Sequence, residues 1–257
     1  MHISKNKIKY FSSLKQKKYR ESEQLYSVEG EKIVFELLSS GKIVSYLVAL
    51  PEWLKKNEKL LHHNIKEILE ISDQELTRIS SFKNPNKVIA IAPIEKRTYS
   101  KNDLQGSLSL ILDDIKDPGN FGTIIRLADW FGIQNIFCSP ETVELYNPKT
   151  IQATMGAFIN VNVYYEELPD LLDKFKEMQS FNIYGTFLEG TNIYEAKLSK
   201  EGFIVIGNES KGISSKLRPY ITHKITIPSC SGKVKPSDSL NAAIATAIVC
   251  SEFFRRK

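Results

Sequence analysis

Of the 257 residues only three are cysteine, Cys138, Cys230 and Cys250, and no two of them form a CxxC pair. A disulfide framework is not expected, and a reduced, cytoplasmic setting is the simplest reading. No run approaches the roughly 20 apolar residues that span a bilayer, so no membrane segment is expected. Met1-His2-Ile3-Ser4-Lys5 lacks the apolar core of a signal peptide. No GxGxxG and no GK[ST] occurs, which leaves dinucleotide and triphosphate readings without support. No His/Cys/Asp cluster points to a metal, and His2, His62, His63 and His223 read as surface or loop residues. There is no internal repeat and no low-complexity tract. What the chain does have, 42% hydrophobic and 25% charged residues, suits a globular protein with a self-sufficient core.

Positive charge is concentrated at the front. Residues 1–100 hold 18 Lys/Arg against 12 Asp/Glu, whereas the remaining residues are close to neutral. Lys5, Lys7, Lys9, Lys15, Lys17, Lys18 and Arg20 all precede the first acid, Glu21. Such a run attracts a polyanion by counterion release and steers its approach. A solvated helix face is the plain alternative.

The spacing predicts a small α/β domain over 1–96, with a basic helix first. A strand follows from Leu25, a helix over Glu31–Ser40 ending at Gly41, and a strand over Tyr46–Leu50. Helices over Glu52–Asn57 and Asp73–Ser80 and a strand over Val88–Ala92 complete it. Residues 97–106 are polar and aperiodic and are expected to form a linker. From 107 to 257 strands and helices alternate. Strands are expected at 108–115, 135–138, 159–164, 183–188, 203–207 and 224–227, and a closing helix at 239–255. Alternation of this kind implies a mostly parallel sheet with helices on both faces, and ligands beyond the C-terminal strand ends.

Three loops after strands carry the polar groups. In Asp113–Arg126 (DDIKDPGNFGTIIR), Pro118 and the glycines shape a turn and Asn120 caps a helix. Arg126 offers a guanidinium that can hold a phosphate bidentately. In Phe203–Ser214 (FIVIGNESKGIS), Glu209 stands at a strand end between glycines, able to reach a ligand or a neighbouring loop. In Ile225–Phe253, Ile227-Pro228 ends a strand and Asp238 or Ser239 can cap the closing helix. That helix carries an apolar stripe, Leu240, Ala243, Ile244, Ala247 and Ile248, which reads as core. Ser239 and Asn241 add polar groups at its mouth.

The blocks DPGNFGTIIRLADWFG, IGNESKGIS and IP…SLNAAIATAI, in that order over about 108–255, resemble the SpoU (TrmH-like) branch of the SPOUT RNA methyltransferases. The length, basicity and EGEKIVFELL block of the first ninety residues are similar to the ribosomal-protein-like substrate-binding domain often fused in front of that fold. The resemblance implies a C-terminal trefoil knot, S-adenosylmethionine as cofactor, and methyl transfer to a ribose 2′-hydroxyl of RNA. Ribosomal RNA is expected before transfer RNA, and DNA is not expected. It implies catalytic roles for Arg126, Asn120, Glu209, Ser239 and Asn241. The resemblance gives Arg126 the role of base toward the hydroxyl; because a guanidinium stays protonated, the reading taken is that Arg126 positions a phosphate and polarises the hydroxyl, with the other four orienting it and the ribose. It implies cofactor contacts at Thr186, Gly207, Asn208, Ile227, Pro228, Leu240 and Asn241, mostly through main-chain groups. It also implies a homodimer through the C-terminal domain. One departure is the insertion Lys235-Pro236-Ser237-Asp238, which leaves Ser237 and Ser239 both open for the family's serine. The competing reading is a non-catalytic RNA-binding or ribosome-assembly protein on the same fold, which would not need all five polar residues.

Overall fold

A computed structural model describes residues 3–61, 64–176, 181–229 and 239–255. The chain divides into two units. One runs to Lys96 and takes in Leu145–Ile159; the other spans Arg97–Glu144 and resumes at Asn160.

The first unit begins with two short helices where one basic helix was expected, Lys5–Ser13 (α1) and Lys17–Glu23 (α2). Then come Leu25–Glu29 (β1), Glu31–Ser39 (α3), Val44–Ala49 (β2), Pro51–Lys56 (α4), Ile65–Glu70 (β3), Asp73–Ile79 (α5) and Val88–Pro93 (β4). Gly30, at φ +108°, starts α3, a conformation open to glycine. Ser72 and Glu75 form a reciprocal capping box on α5. The four strands lie in the order β1-β4-β2-β3, with β2 and β3 parallel and the other pairs antiparallel. β3 escaped the sequence reading because three of its six residues are charged; it is an edge strand with Ile68 42% exposed. Phe11, Leu14, Val48, Leu76 and Ile91 belong to the core on this sheet. From the distant segment, Pro148–Thr154 (α7) packs on β1. Tyr26 meets the ring of Tyr146 at 4.3 Å and that of Phe158 at 6.0 Å.

The second unit contains Leu108–Leu112 (β5), Pro118–Phe131 (α6), Asn135–Cys138 (β6), Asn162–Tyr165 (β7), Leu168–Asp173 (α8), Asn182–Asn192 (β8), Gly202–Ile206 (β9), His223–Thr226 (β10) and Ala242–Arg255 (α9). Its six strands pair in parallel in the order β10-β8-β9-β5-β6-β7. β5 and β9 are buried at every position, as a strand covered on both faces requires. Residues 97–106, read from sequence as a linker, pack into this unit. Leu104 is fully buried, Arg97 donates to the Val161 carbonyl at 2.6 Å, and Tyr99 donates to Glu166 at 2.8 Å. Polarity misled there, because these polar side chains are paired.

The closing helix is also turned relative to expectation. Its buried residues are Ala242, Ala243, Thr246, Val249, Cys250, Glu252 and Phe253, while Ile244 is 54% exposed. Leu240 precedes the helix and is 47% exposed. Among the described residues no helix is long and apolar enough to cross a membrane, and no group of side chains is arranged to hold a metal.

Candidate active site

Because the strands are parallel, their C-terminal ends bring loops distant in sequence to one edge. The loop after β5 opens with Asp113, 6% exposed, whose Oδ2 accepts the Ser214 N–H at 2.7 Å. Asp117 then caps α6 by accepting the Asn120 N–H at 2.7 Å, with Pro118 at the first helical position. The cap is thus Asp117 and not Asn120, which frees the Asn120 side chain for other partners.

Those partners come from the other two loops. Asn120 Nδ2 donates to Glu209 Oε1 at 2.9 Å. Asn241 Nδ2 donates to Asn120 Oδ1 at 2.8 Å. Asn241 Oδ1 accepts the N–H groups of Ala243 and Ile244 at 2.9 and 3.3 Å, so Asn241 caps α9, where the sequence suggested Asp238 or Ser239. Ser239 Oγ donates to the Glu209 carbonyl at 3.1 Å. Donors and acceptors therefore run one way, from the α9 N-terminus through Asn241 and Asn120 to the Glu209 carboxylate. Glu209 Oε2 makes no bond to a described residue.

Four of the five expected catalytic side chains thus meet, and Arg126 does not join them. Six residues after Asn120, it lies about 120° around α6 and about 9 Å along it. It is exposed and makes no hydrogen bond or ion pair with a described residue. One turn on, Trp130 is 84% exposed on the same helix face. α6 and α9 pack together, with Phe131 stacked on Phe254 at 5.6 Å.

The expected cofactor residues divide. Among the described residues, no hydrogen bond is made by the main-chain groups of Gly207, Ile227 and Leu240. Thr186 Oγ1 is spent on the Val205 carbonyl at 3.0 Å. Pairing of β10 with β8 jumps from Lys224–Gly185 to Ile225–Thr191, so residues 186–190 leave the ladder; Leu188 among them is 53% exposed. Pro228 is exposed. Gly207 is glycine because a Cβ there would lie 2.3 Å from Gly212 and Ile213 backbone. Asn208 has no free polar group, as set out below. Lys235, Pro236, Ser237 and Asp238 lie outside the described residues, as do His2, His62, His63 and Cys230; the described serine of the pair, Ser239, contacts Glu209. His223 is exposed and stacks on Tyr184 at 4.9 Å.

The basic run is also uneven. Lys5 and Lys9 are exposed and make no ion pair with a described residue. Lys7 binds Glu67 at 2.6 Å, Lys15 donates to the Arg78 carbonyl at 3.1 Å, Lys17 pairs with Glu21 at 3.6 Å, and Lys18 lies 4.7 Å from the Tyr19 ring centre. Arg20 does not face solvent at all: it is 2% exposed and donates to the Leu14 carbonyl at 2.7 Å. Burial lowers its pKa. Arg20 closes the joint between α1 and α2, and it is removed from the RNA-facing set.

Comparison with known proteins follows the same division. Residues 107–251 match the SpoU rRNA Methylase family, and residues 5–90 match the MRM3-like substrate binding domain. The 23S rRNA (guanosine(2553)-2′-O)-methyltransferase RlmP of Bacillus subtilis is 27% identical over 95% of this chain and 94% of its own. A solved structure from Porphyromonas gingivalis, assigned to the TrmH family of RNA methyltransferases, superposes with a TM-score of 0.87 at 37% identity over 99% of both chains. The AdoMet-bound rRNA methyltransferase of Sinorhizobium meliloti gives 0.85 at 27% identity, covering 99% of this chain and 97% of that one. With its catalytic half matched along its length, this chain belongs to the SpoU rRNA methylase family.

Proposed function

We propose that this protein transfers the methyl group of S-adenosylmethionine to a ribose 2′-hydroxyl of ribosomal RNA. The observation that carries the reading is the one-way chain Asn241–Asn120–Glu209, which joins all three motif loops. A fold kept only for binding RNA has no need of it.

The sulfonium of the cofactor supplies an activated methyl group. Main-chain groups at Gly207, Ile227 and Leu240, with the apolar side chains of Leu188 and Leu240, would suit a nucleoside and its thioether arm. The protein's own task is to place a weakly acidic hydroxyl in line with that methyl. Glu209, with Oε1 held by Asn120, offers Oε2 to the ribose. Arg126 holds the adjacent phosphate through its fork. Glu209 Oε2 would take the hydroxyl proton as the oxygen–methyl bond forms and the methyl–sulfur bond breaks, with S-adenosylhomocysteine as the leaving product.

The active form is a homodimer joined on the α6–α9 face. Trp130 on α6 and Ile244 on α9 are exposed apolar side chains on two helices that pack together, which favours this face for the joint. Arg126 then stands at the joint between two copies. Free, buried Cys138 and Cys250 suit the cytoplasm.

The test is methylation of separated ribosomal and transfer RNA, from cells lacking the protein, with labelled S-adenosylmethionine. Ribose-2′ label in ribosomal RNA supports the reading. Label on a base, label confined to transfer RNA, or no label on either overturns it.

A further inference from the structure

Asn208 was expected at the cofactor, yet the protein itself uses every polar group it has. Its Oδ1 accepts the N–H groups of Ser210 and Lys211 at 2.9 and 3.0 Å. Its Nδ2 donates to the Asp114 carbonyl at 2.8 Å. Its N–H donates to the Gly212 carbonyl at 3.1 Å, and its carbonyl accepts from the Gly212 N–H at 2.8 Å. Each of its polar atoms is thus bonded within the protein.

The far end of that side-chain bond is unusual. Asp114 has φ +63°, the left-handed region that residues with a Cβ avoid. It is held there by the Asn208 amide on its carbonyl and, at 3.5 Å, its carboxylate, by Ser139 Oγ accepting its N–H at 3.0 Å, and by Lys116 at 2.5 Å from its carboxylate. Strain persists only where surroundings impose it, and here they do so at the start of the catalytic loop. Two rungs, Asp113–Ser214 and Asp114–Asn208, thus tie the loop after β5 to the loop after β9. The Asn120–Glu209 bond is the third.

We propose that Asn208 is a positioning residue and not a cofactor contact: by holding Asp114 in its left-handed turn, it sets Glu209 against Asn120. The inference rests on the active site proposed above.

The experiment uses the full chain and measures turnover on RNA at saturating S-adenosylmethionine, cofactor affinity by calorimetry, and melting temperature. Asn208→Ala is expected to lower kcat about tenfold or more while the Kd for S-adenosylmethionine stays within about threefold. Asp114→Gly alone supplies the reference for the double variant, because glycine takes φ +63° unaided. The decisive variant is the double one. N208A with D114G is expected to recover turnover relative to N208A alone, since the turn no longer needs holding. A weakened cofactor Kd with unchanged kcat in N208A overturns the proposal, and so does a double variant no faster than N208A. Should N208A not fold, Asp114→Ala serves: it keeps the carbonyl that Asn208 binds but penalises the turn. Loss of kcat with cofactor affinity intact then supports the proposal, and unchanged kcat overturns it. A parent protein that methylates no RNA defeats the proposed function; a parent that methylates beside an unaffected N208A defeats only this inference.

Discussion

Asn120 and Glu209 stand 89 positions apart in the chain, and one 2.9 Å hydrogen bond joins their side chains. The bond orders the carboxylate from the side facing Asn241, so its effect is on placement. Asn120→Ala and Glu209→Gln are each expected to lower kcat by about 100-fold, the scale of a lost oriented polar contact. Binding of S-adenosylmethionine, measured by calorimetry, should change little. Turnover within threefold of the parent in both variants would sink the role given to this pair.

Arg126 makes no bond to the described protein, so its removal costs the fold little. Arg126→Ala should retain the parent melting temperature and cofactor affinity and lose turnover. Arg126→Lys should also fail, because an ammonium does not reproduce the planar fork. A lysine variant with parental kcat would show that charge alone suffices.

Gly207→Ala tests packing. The added methyl meets Gly212 and Ile213 backbone at 2.3 Å, and no flexible side chain can yield. The loop after β9 must shift, and Glu209 moves with it. Expected are a lowered melting temperature and a loss of both cofactor binding and activity. A parental melting curve with full activity would refute the close approach.

The basic run separates into the exposed lysines Lys5, Lys9, Lys17 and Lys18, the partly buried Lys7 and Lys15, and one buried arginine. Replacing Lys5, Lys9, Lys17 and Lys18 with Gln should weaken RNA binding. It should flatten the slope of log affinity against log salt by up to about 3.6, at roughly 0.7–0.9 per phosphate contact. Arg20→Ala should instead lower the melting temperature by several degrees, as the carbonyl of Leu14 loses its partner. An unchanged salt slope in the quadruple variant returns the run to a solvated face.

Trp130→Glu combined with Ile244→Glu should convert a dimer to a monomer in light scattering and abolish methylation. A monomeric parent, or a monomeric variant at full activity, would dissociate Arg126 from any joint between copies.

Much of the second unit was legible because a buried parallel sheet writes itself as apolar strands between helices. Asn135–Cys138 and Gly202–Ile206 are such strands, and the polar residues after them were visible at the loops. Pairings across the loops were not legible. Asn241 reaches Asn120 across 121 positions, a proximity that only strand order creates. Arg20 looked like one more cation in a run, since sequence does not show which way a side chain turns at a break between helices. The orientation of α9 was misjudged for a related reason. Alanine, isoleucine and threonine all suit a helix face, and Thr246 is buried because its hydroxyl bonds back to the Ala242 carbonyl at 2.7 Å.

The packing of Tyr146 and Phe158 around Tyr26 bears on how this protein can be dissected. The unit that carries the MRM3-like match is not one contiguous stretch of polypeptide. A fragment ending at Lys96 would leave Tyr26 without two aromatic neighbours and β1 without α7. Isolating that half means grafting residues 145–159 back, by a linker or as a separate peptide. The same arrangement ties the two halves through heredity: a gene fusion at residue 96 could not exchange the front unit without also rewriting a loop deep inside the methylase sequence.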